Sequence, residues 1–494
     1  MVDTIGRAQR RIGVREIAVL LDGWQDASVP AYRGLADRLR LLVLDGRLPV
    51  HAVLPSERAL AAATGTSRTT TTTAYRLLRE AGFAAAGHGS GTWTALPGDD
   101  PQSAPMPWPV TTTGSRGDDD GRGDLASAAP EAPSQVHAAY AAALADLPHY
   151  LPGHGYVTAG IPALRARIAD RYTARGLATR PEQVMVTAGA MHGLRLALSL
   201  LVGPGERVVC EHPTYPMAVD AVRRAGARPV GWDVGGGWDL ELLDAILASS
   251  RAGAAYLMPD FQNPTGRLMS EVDRERLAQV LGRHGCLAIV DETTAELDLR
   301  EPAGRRGRPP STPAPFAAFG PDSICIGSAS KTFWGGLRIG WIRADAALVR
   351  RLSVARAGDD LGSPMVEQLA CVHLLDQVDD VLAERRTMLR ARRDALRAAI
   401  ARDLPTWSVP VPDGGMVLWC GLPEPRSTRL AGAARSLGVT VTPGPRFAVG
   451  AGFEDRVRLP FARPQAQLVA AVRLLAQAWQ GEGPSGEPDL APVL

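Results

Sequence analysis

Between residues 125 and 480, short apolar runs recur, with helical stretches of ten or more residues between several of them. The runs are VMVTA (184–188), RVVCE (207–211), AAYLMP (254–259), CLAIVD (286–291) and SICIGS (323–328). Strand and helix in alternation predict an α/β domain on a mostly parallel sheet. Ahead of this region the period is helical, and residues 14–25 have the pattern of a short amphipathic helix. Residues 54–65, LPSERALAAATG, open with Ser56 as an N-cap and close on Gly65. Ser67 then caps a second helix, RTTTTTAYRLLREAG. Two short helices across a glycine turn predict a helix-turn-helix, with Leu60, Ala61, Tyr75, Leu78 and Phe83 as its core. GFAAAGHGSGTWT (82–94) follows as a hairpin or wing. Its glycines Gly87, Gly89 and Gly91 let the backbone come close to a phosphate or groove.

Composition divides the chain the same way. Residues 1–29 read as an extension with one short helix, 30–94 as a compact domain, and 95–124 as a linker rich in Pro, Gly, Asp, Ser and Thr. Residues 125–480 form the large domain and 481–494 a frayed tail. The Arg/Pro-rich stretch 300–315 reads as a surface loop. With 494 residues, 45% apolar and 21% charged, two or three domains with sizeable cores are expected. Net charge is only +2, yet residues 30–94 hold eight Arg against four acids, and the linker six Asp against two Arg. No apolar run reaches membrane-spanning length and the first residues do not read as a secretory signal. Five widely spaced cysteines, without a CxxC, point to the reducing cytoplasm and to no structural metal.

The basic head invites a nucleic-acid reading. Five consecutive threonines, 69–73, oppose helix formation by a few tenths of a kcal/mol each. At the start of a recognition helix their hydroxyls can donate to phosphates and their methyls can touch thymine, and Arg68 can reach a phosphate or a guanine edge. The plainer alternative is a small helical bundle with a polar face. The strings AYRGLADRLRLLVLDGRL, LPSERALA, TSRTT with Ala74, LLREAGF and GSGT decide between them. Over residues 31–94 they resemble the winged helix-turn-helix of the GntR family of bacterial regulators. The resemblance implies double-stranded operator DNA as partner, held by Arg33, Ser56, Glu57, Arg58, Ser67, Arg68, Thr69, Thr70, Gly89 and Gly91. In this sequence Ala84, Ala85 and Ala86 replace the basic residues that often lead into the family's wing.

One count bears on the large domain. Of 54 basic residues, 53 are Arg and one is Lys, Lys331. Guanidinium serves wherever charge suffices, whereas a Schiff base needs a primary amine. Polar and small residues follow the strand-like runs, where open α/β sheets bind ligands. Gly189, Ala190 and Met191 open a helix after 184–188 and leave N–H groups for a phosphate. Tyr215 sits on the turn after 207–211, suited to stacking on a planar ring. Asn263 lies in the NPTG turn, Asp291 ends the run 286–291, and Ser328, Ser330, Lys331 and Arg338 follow the last run. Together they match pyridoxal 5′-phosphate. Lys331 would carry it as a Schiff base, and Asp291 would pair with its pyridine nitrogen. Asn263 would bond its ring hydroxyl and Tyr215 would stack. Ser328, Ser330, Arg338 and the Gly189 and Ala190 N–H groups would hold its phosphate.

Residues 125–480 resemble a fold-type-I aminotransferase, on GIPALRARIADRY, EHPTYP, NPTG, VDE, SASKTFWGGLRIGW, DGGMVLW and RVRLPFA. The resemblance implies that fold, with flanking helices and a small C-terminal α+β subdomain, and a cofactor site at a subunit interface. It also makes Arg458 the partner of a substrate or effector carboxylate. The family's tyrosine shortly after the aspartate is missing, because Asp291 is followed by Glu292, Thr293 and Thr294. A GntR-like head, a linker and an aminotransferase-like body are the architecture of the MocR subfamily. That implies a homodimeric, pyridoxal-phosphate-dependent transcription regulator sensing the cofactor or its adduct with an amino compound. The alternative is an active aminotransferase with an accessory DNA-binding head, for which Lys331 and Asp291 would be the catalytic pair.

Overall fold

The computed structural model describes residues 11–21, 24–25, 30–44, 47–49, 52–87, 91–95, 123–300, 313–320 and 322–481. Gly89, most of the linker, most of the 300–315 loop and nearly all of the tail therefore lie outside the described residues. No helix among the described residues is long and apolar enough to cross a membrane. All five cysteines are buried and free.

The head contains α1 (Val14–Leu20), α2 (Ala31–Leu44), α3 (Glu57–Thr64) and α4 (Arg68–Glu80), then β1 (Ala84–Gly87) and β2 (Gly91–Thr94) as an antiparallel wing. The caps are those the pattern predicts. Ser56 accepts from the Ala59 N–H at 3.3 Å, Ser67 accepts from Thr70 at 3.0 Å, and Gly65 ends α3 in the left-handed region at φ 65°. Leu60, Ala61, Tyr75 and Leu78 are buried, and Phe83 packs beside them. Tyr75 keeps its hydroxyl satisfied by donating to the Pro55 carbonyl at 2.9 Å.

The first helix is shorter than its pattern and belongs to this core. Ile12, Ile17 and Leu21 are buried together with Leu35, Leu39 and Leu60. Ile12 N–H donates to the Val53 carbonyl at 2.9 Å. The amphipathic stripe of α1 is thus its side facing the head, not a free surface.

In the body, seven strands form one sheet in the order β4-β10-β9-β8-β7-β5-β6. They are β4 (Val184–Thr187), β5 (Arg207–His212), β6 (Arg228–Asp233), β7 (Ala254–Leu257), β8 (Leu287–Asp291), β9 (Ser323–Ser328) and β10 (Gly340–Arg343). Pairing is parallel except at β10, which runs antiparallel to both β4 and β9. Apolar clusters cover both faces of the sheet. A smaller sheet, in the order β11-β13-β12-β3, forms the C-terminal subdomain. Its strands are β11 (Val417–Gly421), β12 (Thr440–Pro443), β13 (Arg456–Pro460) and β3 (Asp124–Leu125), the last coming directly from the linker.

Among the described residues, the polar contacts between head and body centre on Arg38, which donates to the Thr428 hydroxyl at 3.1 Å. Arg38 of α2 pairs with Glu454, whose carboxylate also accepts from Thr428 N–H at 3.1 Å and Ser427 Oγ at 3.2 Å at the start of helix Ser427–Ser436.

Candidate cofactor site and DNA-binding head

Most of the cofactor residues lie at or just beyond the carboxyl end of a strand. After β4 the chain turns through Gly189, at φ 86°, into helix Ala190–Leu201. A Cβ on Gly189 would be strained by that backbone angle and would stand 2.9 Å from Nη2 of Arg338. The glycine therefore leaves a helix N-terminus and a guanidinium over one small space, a cradle for phosphate. Arg338 is itself left-handed, at φ 53°, and donates to the Ala188 carbonyl at 3.1 Å. Met191, in the same first turn, packs its side chain on the apolar cluster behind the sheet.

Tyr215 caps the helix after β5, and Asn263 lies in the turn after β7. A buried bracket absent from the sequence reading joins these two turns. Gln262 Nε2 donates to the Pro213 carbonyl at 2.7 Å and to Glu211 at 3.1 Å. Its Oε1 accepts from the Thr265 N–H at 3.1 Å and the Thr265 hydroxyl at 2.8 Å. Glu211 also accepts from the Trp238 indole at 3.0 Å, and burial pushes its carboxyl up to about 7.

Asp291, at the end of β8, accepts from the Thr293 N–H at 2.9 Å on Oδ1. On Oδ2 it accepts from the Tyr256 hydroxyl at 2.6 Å. Tyr256 is a second residue the sequence reading missed. Burial and the carboxylate hold its phenol well above the usual range, so it stays a neutral donor. Thr293 and Thr294 do not take the place of the missing tyrosine. Thr293 serves Asp291 by its backbone, and the Thr294 hydroxyl donates to the Asp260 carbonyl at 3.1 Å.

Lys331 lies in the short helix Ala329–Thr332, started by Ser328, whose Oγ accepts from the Ser330 N–H at 3.1 Å. The two serine hydroxyls are 2.8 Å apart. Lys331 Nζ donates to the Ala128 carbonyl at 2.6 Å. Burial, then the Arg458 charge, lower its pKa to about 8 against the opposing pull of Asp291. Arg458, on β13 between Trp419 and Thr442, donates to the Ala126 carbonyl and lies 4.9 Å from the Phe447 ring centre. Burial lowers its guanidinium to about 10.

These groups fit pyridoxal phosphate and a carboxylate ligand. Two buried polar atoms, Asn263 Oδ1 and Arg458 Nε, have no hydrogen-bond partner, which is costly unless a ligand supplies one. The lysine's pKa is brought down toward the physiological range, and the Gly189 cradle is of phosphate type.

In the head, Arg33 lies on α2 and Ser56, Glu57 and Arg58 at the start of α3. Ser67, Arg68, Thr69 and Thr70 gather at the start of α4, and Gly91 begins β2 at φ 83°. The threonine run is not one surface. Thr71 is fully buried beside Thr66, and Thr72 donates to Glu57 at 2.8 Å, tying α3 to α4. Packing thus claims part of a run assigned to DNA, and the Glu57 carboxylate is engaged within the protein.

A winged helix-turn-helix joined to a pyridoxal-phosphate-type aminotransferase fold defines the class. Residues 126–475 match "Aminotransferase class I and II" and residues 31–93 match "Bacterial regulatory proteins, gntR family". The chain is 30% identical over 450 residues to the Escherichia coli "Uncharacterized HTH-type transcriptional regulator YdcR", covering 85% of this chain and 92% of that protein. It is 33% identical over 349 residues to the Rhizobium meliloti "Probable rhizopine catabolism regulatory protein MocR", covering 64% and 66%. Among solved structures, LysN, the α-aminoadipate aminotransferase of Thermus thermophilus in complex with N-(5′-phosphopyridoxyl)-L-leucine, superposes with TM-score 0.65 at 31% identity. It covers 73% of this chain and 93% of that one. The chain belongs to the class I and II aminotransferase family and, by its fused gntR-family head, to the MocR-type regulators.

Proposed function

We propose that this DNA-binding regulator works as a cytoplasmic homodimer that reports pyridoxal phosphate, or its adduct with a carboxylate-bearing amino compound, to operator DNA. The observation that carries the reading is the use made of Lys331 and Arg458. Both hold carbonyls of one segment, Ala128 and Ala126, and that segment continues β3 and the linker toward the head. A cofactor on Lys331 and a carboxylate on Arg458 compete for the anchors of the head's tether. Occupancy then has a different free energy in two arrangements of the chain, as a switch requires.

When bound, pyridoxal phosphate supplies an aldehyde to the lysine and a pyridinium ring that withdraws electrons. The chain's own residues do the rest. Gly189, Ala190, Ser328, Ser330 and Arg338 would hold its phosphate. Asp291, fixed by Tyr256 and Thr293, would pair with its pyridine nitrogen. Asn263 would bond its ring hydroxyl and Tyr215 would stack on the ring. Lys331, with its lowered pKa, is neutral in roughly a tenth of molecules at pH 7. Three large exposed apolar side chains, Leu144, Leu151 and Tyr156, lie close together in sequence and support a homodimer.

A second reading, turnover as an aminotransferase, is favoured by the same lysine, which can both capture a carbonyl and move a proton at Nζ. The experiment is a gel shift on the DNA upstream of the protein's own gene, with and without pyridoxal phosphate, for wild type and Lys331→Ala. Salt-sensitive, sequence-specific binding that responds to the cofactor only in wild type supports regulation. Turnover of common amino and keto acids without such binding favours the enzyme.

A further inference from the structure

The head's free positive charge extends beyond the helix-turn-helix. Arg38, Arg40 and Arg76 are paired with Glu454, Asp37 and Glu80. Among the described residues, Arg11, Arg15, Arg33, Arg58, Arg68 and Arg79 form no ion pair. Arg33, Arg58 and Arg68 are already assigned to DNA. Arg11 and Arg15 stand outside the stretch that matches the gntR family, residues 31–93, yet are built into the same domain.

Their placement follows from backbone pairing. Val53 pairs with Trp93 of the wing strand on one side and, in parallel, with Arg11 on the other. The wing sheet thus continues outward through Val53 to Arg11. Three residues after Val53 comes Ser56, the cap of α3, with Arg58 in the first turn beyond it. Helix α1, which opens at Val14 and Arg15, packs against α3. Ile17, buried one turn further on, pins α1 against the head. Arg11 and Arg15 are both exposed. Two unpaired, exposed arginines thus belong to elements that pack on or pair next to α3, whose first residues are read as DNA contacts.

We propose that Arg11 and Arg15 are phosphate contacts, and that the head's DNA face includes the strand and helix preceding the helix-turn-helix. The proposal rests on the DNA-binding reading. Phosphate contacts carry no base information, so their loss weakens all sequences alike.

The test is a salt titration of DNA binding by the full-length protein, on its own upstream DNA and on an unrelated duplex. Wild type is compared with Arg11→Gln/Arg15→Gln and with Arg11→Lys/Arg15→Lys. Each phosphate contact adds about 0.9 to the slope of log affinity against log salt, so the Gln pair is expected to lower it by nearly 2. Both duplexes should weaken by the same factor, roughly tenfold or more at physiological salt. The Lys pair should keep the slope, which a purely structural role of arginine would not predict. An unchanged slope in the Gln pair, with wild type binding normally, overturns the inference and leaves the DNA-binding reading standing. No binding of either duplex by wild type overturns both.

Discussion

Removing the Tyr256 hydroxyl is the sharpest probe of how the cofactor site is supported. The phenol is fully buried and donates at 2.6 Å to Asp291, whose other oxygen is held by a backbone N–H. Tyr256→Phe keeps the ring, so no cavity opens, and the change isolates one hydrogen bond to a charged group. Such bonds contribute about 1.5–3 kcal/mol. Part of that is offset because a polar group no longer has to be buried, which leaves about 1.5 kcal/mol. A carboxylate has room for both Tyr256 and a pyridinium donor. With the cofactor bound, Asp291 must remain charged and aimed, whereas without it the carboxylate can turn to other partners. Most of the 1.5 kcal/mol should therefore appear as weaker pyridoxal phosphate binding, about tenfold. The assay is an absorbance titration of purified protein with pyridoxal phosphate, repeated in an Asp291→Asn background. In that background Tyr256→Phe should have little further effect, because the charge it supports is gone. Equal affinity for wild type and Tyr256→Phe, or losses that simply add with Asp291→Asn, would refute the reasoning.

Covalent capture of pyridoxal phosphate needs the neutral amine of Lys331, whose pKa is lowered to about 8. Stopped-flow rates should therefore rise with pH and flatten above about 8, and a rate still climbing at pH 10 would contradict the buried environment. Arg38→Ala removes the contact between α2 and Glu454 but leaves Glu454 its bonds to Ser427 and Thr428. Small-angle scattering should then show a larger radius of gyration with an unchanged body melting temperature, and identical profiles would mean that the contact does not hold the head. Ile17→Ala empties a fully buried position under the head and should cost about 2–4 kcal/mol, read as an earlier melt of the head. No shift would mean that α1 is not part of its core.

What was legible in the sequence was what periodicity and turn chemistry encode. Five strands of the large sheet announced themselves as apolar runs followed by small or polar residues. The caps Ser56, Ser67 and Gly65 marked both helices of the DNA-binding motif. The strands that escaped have physical reasons. β10 is four residues long and interrupts a motif read for its chemistry, and β6 is an edge strand whose exposed positions blur the apolar signal. The amphipathic pattern of residues 14–25 was visible, but a stripe on one helix does not say which surface covers it. The threonine run misled because β-branched residues argue against free helix formation, whereas Thr71 is fixed by burial.

Tyr256 shows where the limit lies. Its neighbours in β7 are Ala254, Ala255 and Leu257, and by pattern it is one more core residue. Yet a phenol inside a fully buried strand must find an acceptor, and the strand that pairs with β7 ends in an aspartate. Those two facts were both in the sequence, and only their register was not. Val290 stands opposite Leu257, so Tyr256 lies two positions back along the ladder from Asp291, with both side chains on one face. Tyr256 holds the aspartate itself and is not a substitute for the tyrosine missing beyond Asp291. The support for the aspartate comes from the next strand, where a motif search centred on the aspartate has no reason to look.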